Sequence, residues 1–136
     1  MVKTFAIVTI ALGASITSLA FSEETPLSIP GAETITVSQA KALFDDGVIF
    51  IDPRKDTDWD AGRIPESEHL ELKSDFNEVN IANLIEKNEP FVVYCNGIKC
   101  HVSLIAAERA VEWGYTSVKW FRGGLPAWKE AGYPIE

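Results

Sequence analysis

Three short runs, Val48-Ile49-Phe50-Ile51, Phe91-Val92-Val93-Tyr94 and Ser117 to Phe121, constrain the fold of this chain more than any other feature. The first is wholly apolar, with none of the alternation of a strand that faces water on one side, so it reads as a strand covered on both faces. Helical stripes separate the runs. Thr36-Val37-Ser38-Gln39 has capping-box spacing, and Ala40, Leu43 and Phe44 follow on one face until Gly47, which predicts a helix over about 37–45. Val79, Ala82, Leu84 and Ile85 give a second stripe that closes before Pro90. Leu104, Ile105, Ala107, Ala110 and Val111 predict a helix over about 101–113 that stops at Gly114, and a last helix runs from about Pro126 to Ala131. This alternation implies an α/β fold, a parallel sheet with helices on both faces. Residues 55–68 read as a charged, turn-rich connection and Leu70 to Leu72 as a short strand. No internal repeat or low-complexity segment interrupts the pattern.

Ahead of this domain, Met1-Val2-Lys3 places one positive charge before the apolar run Phe5 to Leu12, followed by small and polar residues to Ser22. This predicts a signal peptide over residues 1–22, and so an exported protein, periplasmic or secreted. Two small-x-small sites compete, with cleavage before Phe21 or before Glu23, and the second is preferred. The competing reading is an uncleaved anchor, since Thr4 to Ser22 lacks charge; Gly13 and the interspersed Ser and Thr weaken it. Residues 23–32 form an extended lead-in with Pro and Ser, and residues 33–136 form the domain. The whole chain carries a net charge of −8, and the leader contains one lysine and no acid. An acidic surface of this kind disfavours nucleic acid and anionic lipid as partners, because both are bound through Lys and Arg patches. A membrane contact is expected only through an uncleaved leader.

A chain of this length buries a core without disulfide staples, so its two cysteines call for another explanation. Cys95 follows the strand Phe91 to Tyr94 and precedes a short Gly-containing loop and a helix. A thiolate there faces loop N–H groups and the positive end of a helix dipole, both of which lower a cysteine pKa and favour a nucleophile. In open parallel sheets ligands bind at the carboxyl ends of the strands, and Asp52 and Cys95 are both expected at such ends.

On these residues the chain resembles the rhodanese family over almost all of residues 33–136. The matching pieces are Ile51-Asp52-Pro53-Arg54, Trp59 with Gly62-Arg63-Ile64-Pro65, the loop entry Val93-Tyr94-Cys95, and Arg122-Gly123-Gly124-Leu125-Pro126-Ala127-Trp128 with Ala131-Gly132-Tyr133-Pro134. Their order and spacing carry the resemblance, above all the closing Gly-Gly-x-x-x-Trp. It implies a rhodanese-like three-layer sandwich and a single-domain sulfurtransferase. In that reading Cys95 takes a sulfane sulfur from a small anionic donor such as thiosulfate, becomes a persulfide, and passes the sulfur to a thiol or cyanide. The backbone of Asn96, Gly97, Ile98, Lys99 and Cys100 would cradle the anionic sulfur, with Lys99 drawing in the donor. Asp52 and Arg54 take supporting positions near the loop; a strand-end cap and a surface ion pair is the plainer reading of the two. Such chemistry calls for no cofactor and no metal, and Cys95, Cys100, His69 and His101 match no trusted zinc spacing.

One departure from the family pattern matters. Many members close the loop with a basic residue, whereas this chain has Cys100 followed by His101. A related set of rhodanese-like sequences carries Cys-Asn-Gly-x-Lys-Cys, which Cys95 to Cys100 matches, and Cys100 is then a resolving or protective thiol that forms a disulfide with Cys95. Its alternative role is a small packing residue at the helix start. His101 is expected at the surface or hydrogen-bonded to the loop, and Trp59, Trp113, Trp120 and Trp128 as core or rim packing. Cysteine phosphatases also attack from a loop of amides, but their loops are one residue longer and end in arginine, which is absent here. A thiol–disulfide oxidoreductase using Cys95 and Cys100, and a non-catalytic sulfur-binding or interaction module, remain the alternatives to sulfur transfer.

Overall fold

The computed structural model describes Gly13 and residues 24–136, so the leader read in residues 1–22 and its cleavage site lie, Gly13 apart, outside the described residues. Five strands form one parallel sheet: β1 (Ala32–Thr34), β2 (Ile49–Asp52), β3 (Glu68–His69), β4 (Phe91–Tyr94) and β5 (Val118–Phe121), in the order β1-β5-β4-β2-β3. The helices are α1 (Val37–Asp45), α2 (Asp56–Ala61), α3 (Glu78–Leu84), α4 (His101–Glu112) and α5 (Gly124–Glu130). This is the α/β arrangement the apolar runs imply.

Successive strand residues point to opposite faces, and the two faces hold separate cores. Phe50, Val92, Tyr94 and Phe121 pack with Ala40, Leu43 and Phe44 of α1 and Leu125 and Trp128 of α5. Ile51, Phe91, Val93, Val118 and Trp120 pack with Ile81 and Leu84 of α3 and Leu104, Ala107 and Ala110 of α4. Apolar side chains at every position of β4 are thus required, since both faces of this central strand are dry: all four of its residues are buried.

Local signals set the helix ends. Thr36 accepts from the Gln39 N–H at 3.2 Å while its own N–H donates to Gln39 Oε1 at 2.8 Å, completing the capping box that starts α1. At the other end of α4, Gly114 N–H donates to the Val111 carbonyl and Tyr115 N–H to Ala110, the Schellman pair of bonds.

Three elements differ from the sequence reading. Residues 55–68 are not all connection: Asp56–Ala61 form α2, a helix with no buried residue, so it carries no apolar stripe to announce it. The short strand expected over Leu70 to Leu72 lies at Glu68–His69 instead, where Asp52 pairs with His69; Leu70 and Leu72 continue beside it, donating to the carbonyls of Asp52 and Pro53. Ala32–Thr34, at the end of the lead-in and the start of the domain, is an edge strand on β5.

The closing Gly-Gly-x-x-x-Trp motif also finds its cause in the fold. Leu125 N–H donates to the Cys95 carbonyl at 2.9 Å, which seats the start of α5 directly on the loop after β4. Gly124 has φ 59°, and a Cβ there would lie 2.3 Å from the Cys95 carbonyl oxygen. Trp128, one turn on, is fully buried and donates from its indole to the Pro134 carbonyl. Gly124→Ala is expected to cost about 3 kcal/mol or more in urea unfolding, from the left-handed backbone and the overlap together. Gly132→Ala, with φ 78° and open space around it, should cost only about 1 kcal/mol.

Candidate active site

Cys95 leaves the carboxyl end of β4 and is 1 % exposed. It is joined by a disulfide to Cys100, with Cα atoms 6.2 Å apart, inside the reach of such a bond. Cys100 is half-buried and stands at the N-cap of α4, where no side chain caps the helix, so the cystine lies beside backbone donors that have no acceptor within the helix. Between the cysteines the chain turns back on itself, Cys100 N–H donating to the Gly97 carbonyl at 3.0 Å. Gly97 has φ 118°, and a Cβ there would lie 3.5 Å from Pro126, where the loop faces the start of α5. Ile98 is 38 % exposed, and Lys99 is exposed on the outer side of the turn. His101 is exposed, with Nδ1 3.2 Å from the Lys99 carbonyl.

The ends of β2 and β4 are bound together by a buried ionic network. Arg54 Nε lies 2.9 and 3.1 Å from the two Asp52 oxygens and Nη2 lies 2.7 Å from Oδ2, with side-chain exposures of only 3 % and 0 %. The surface ion pair considered for these residues is therefore replaced by a buried one. The other donors of the guanidinium are directed outward from the pair: Nη2 to the Gly62 carbonyl at 2.8 Å and Nη1 to Asn96 Oδ1 at 2.9 Å. Asn96 in turn donates to Asp58 of α2 at 3.0 Å. Burial works against the Arg54 charge, yet the hydrogen bond and charge of Asp52 prevail and hold its pKa above the ordinary value.

Asp52 also accepts from the Tyr94 hydroxyl at 2.8 Å, and that hydroxyl accepts from the Ile64 N–H. Burial, followed by the nearby Asp52 charge, pushes the Tyr94 phenol well above its ordinary value, so it remains a neutral donor. His69 is placed by two contacts: Nε2 lies 2.8 Å from the Arg54 carbonyl, and its ring stacks on Trp59 with centroids 4.6 Å apart. Arg63 covers the same indole at 4.4 Å. Trp59 is therefore rim packing, whereas Trp120 and Trp128 are core.

A cleft of about 380 Å³ opens beside the cystine, lined by Pro53, Arg54, Lys55, Asp58, Glu71, Leu72, Lys73, Cys95, Asn96, Cys100 and Val102. The structure thus gathers Asp52, Arg54, Cys95, Asn96 and Cys100 at one rim and leaves Lys99 on the neighbouring groove beside Gly123, Pro126 and Glu130. Sequence reasoning passed over Tyr94, Asp58 and Lys73. Only Tyr94 left a trace, as the one hydroxyl in an otherwise hydrocarbon strand.

A parallel five-stranded sheet with a cysteine loop at its carboxyl rim and a glycine pair pressed against that loop defines a class of small α/β domain. The rhodanese-like domain profile matches residues 36–131, and the chain belongs to that family. It is 33 % identical over 105 residues to the protein named thiosulfate sulfurtransferase GlpE from Pseudomonas savastanoi pv. phaseolicola, covering 75 % of this chain and 91 % of that one. Among solved structures, the Alr3790 protein of Anabaena superimposes with a TM-score of 0.66 at 22 % identity, over 75 % of this chain and 90 % of its own. RPA3614 of Rhodopseudomonas palustris, titled a protein of unknown function and possible tyrosine phosphatase, superimposes with a TM-score of 0.62 at 27 % identity, over 82 % and 99 %.

The ionic network makes a stability prediction. Asp52→Ala leaves the Arg54 charge buried without its partner and should cost about 3 to 5 kcal/mol in urea unfolding. The double variant Asp52→Leu with Arg54→Met should recover more than half of that loss. If the losses of Asp52→Leu alone and Arg54→Met alone simply add up to that of the double variant, the pair is not coupled.

Proposed function

We propose that this chain is a sulfurtransferase that carries a sulfane sulfur on Cys95 and that the disulfide with Cys100 is its oxidised resting form. The observation that carries this reading is the position of Cys95, buried at the strand end, bonded to a half-buried Cys100, and open to a cleft with Lys55 and Lys73 at its wall. The relative named thiosulfate sulfurtransferase supports it.

The chemistry runs in two displacements. The Cys95 thiolate attacks the outer sulfur of thiosulfate; the S–S bond breaks and sulfite departs with the electron pair, leaving Cys95 as a persulfide. A thiolate or cyanide then attacks the terminal sulfur, taking it as a persulfide or thiocyanate and restoring the Cys95 thiolate. Negative charge stays near the loop throughout, so donors fixed by the fold stabilise it without reorganising. Arg54 contributes at one remove, by holding Asn96 and with it the entry to the loop.

The disulfide supports a second, linked use of the same pair. An incoming thiolate meets Cys100 first, since Cys95 is the more buried sulfur. Attack on Cys100 breaks the disulfide and expels Cys95 as the thiolate; a second thiolate then releases the first from Cys100, so that two thiols are oxidised as the pair is reduced. In the opposite direction, the Cys100 thiolate attacks the inner sulfur of the Cys95 persulfide, reforms the disulfide and expels hydrosulfide. Export, read from residues 1–22, fits a cystine that persists until a thiol reduces it.

Turnover is measured as thiocyanate formed from thiosulfate and cyanide. Reduced wild-type chain should be active, and Cys95→Ser should lose activity by at least about a thousandfold with its fold intact, because a hydroxyl holds no sulfane sulfur. Cys100→Ser should keep turnover within about threefold under reducing conditions and lose the reversible inactivation by oxidised glutathione. Insulin reduction without thiocyanate formation would instead make the chain a thiol–disulfide oxidoreductase, and neither activity would make it a binding module.

A further inference from the structure

The lead-in before β1 is not a loose tail. Thr25 is 3 % exposed although its neighbours Glu24, Pro26, Leu27 and Ser28 are exposed, and Leu27 reaches 78 %. Thr25 is buried against the cysteine loop: its N–H and its hydroxyl both donate to the Ile98 carbonyl, at 2.7 and 2.8 Å. Arg122, the first residue of the closing motif, holds the segment from behind. Its Nε donates to Thr25 Oγ1 at 3.1 Å and to the Pro26 carbonyl at 3.0 Å, and its Nη2 donates to the Thr25 carbonyl at 2.8 Å. Ile29, four residues on, is anchored in the core.

These bonds have a directional consequence. In a trans peptide the carbonyl and the following N–H point in opposite directions. A carbonyl of Ile98 bound by two donors of the lead-in therefore turns the Lys99 N–H away from the lead-in. Without Thr25 the Ile98–Lys99 peptide could rotate, and a rotated peptide would present a carbonyl oxygen, not a donor, to an anion in the loop.

We propose that Thr25, held by Arg122, is a positioning residue for the Cys95 loop: it fixes the Ile98–Lys99 peptide so that its N–H contributes to the anion-stabilising side of the turn. Thr25 lies outside the matched family region of residues 36–131, and Arg122 lies within it. It deepens the sulfur-transfer reading and rests on it for the identity of the anion, though a Cys95 thiolate alone suffices to test it.

The test uses the reduced full chain and two readouts. The pH dependence of Cys95 alkylation by iodoacetamide, resolved by peptide mass spectrometry, reports the thiolate whether or not the chain transfers sulfur. Thiocyanate formation from thiosulfate and cyanide reports KM and kcat. Thr25→Pro removes both donors to Ile98, and is expected to raise the alkylation midpoint by at least about half a pH unit and KM for thiosulfate by about fivefold, with kcat changed less than about twofold. Thr25→Val removes the hydroxyl alone and should shift both in the same direction by less, and Thr25→Ser should match wild type. Thermal melting screens each variant for folding, and Thr25→Val decides if Thr25→Pro is unfolded. An unchanged midpoint in the folded variants overturns the proposal, as does a shift that Thr25→Ser fails to restore. Absence of thiocyanate formation in wild type with a shifted midpoint in Thr25→Val would overturn the sulfur-transfer reading and leave the positioning role standing.

Discussion

The guanidinium of Arg54 lies at the junction of three parts of the fold that have little else in common. It holds Asp52 at the end of β2, the Gly62 carbonyl after α2, and Asn96 at the entry to the loop after β4. A guanidinium suits this place because its donors lie in one rigid plane, so binding Asp52 side-on fixes the direction of the rest. A lysine would satisfy the charge and leave the geometry open. Burying the pair costs several kcal/mol of solvation per ion, offset by mutual attraction and by the Tyr94 hydroxyl on Asp52. Such a pair adds little net stability. Its effect is to fix where the ends of two strands stand relative to each other and to the loop between them.

The loop itself is short and gains its shape from outside. From within it has one turn bond, Cys100 to Gly97, and the disulfide. From outside it is held on three sides: Arg54 at Asn96, the start of α5 at the Cys95 carbonyl, and Thr25 at the Ile98 carbonyl. Each of these bonds takes up a carbonyl or a side chain. In a trans peptide the N–H that follows the bound Cys95 or Ile98 carbonyl points away from that contact, and on the sulfur-transfer proposal such donors face the anionic sulfur. On the sulfur-transfer proposal, the net negative charge of the chain works against anion capture at long range, and Lys55 and Lys73 at the cleft wall are offset by Asp58 and Glu71, which leaves the attraction to local backbone donors.

Much of this was legible in the residues. The apolar runs announced a doubly covered parallel sheet because every inward position on both faces must be hydrocarbon, and Thr36 with Gln39 announced the start of α1 because a capping box is a local bond pattern. Cys95 and Asp52 were legible as neighbours through the rule that sites gather at strand ends, and Arg54 only through the family resemblance. By contrast, α2 left no stripe, since it buries nothing and is placed by Asp58 on Asn96 and by what precedes and follows it. Strand β3 is two residues long and is fixed by pairing with β2, which no short window reveals. The roles of Thr25 and Arg122 depend on contacts across 97 positions of sequence, and hydrogen bonds of that kind have no periodicity to read.

The proposal makes Cys95 the sulfur carrier and its disulfide with Cys100 a block to loading. Intact mass of the purified chain after incubation with thiosulfate measures both at once. The reduced chain should gain about 32 Da, with no gain for the oxidised chain or for reduced Cys95→Ser. A gain that persists in Cys95→Ser, or no gain in the fully reduced wild type, would contradict it.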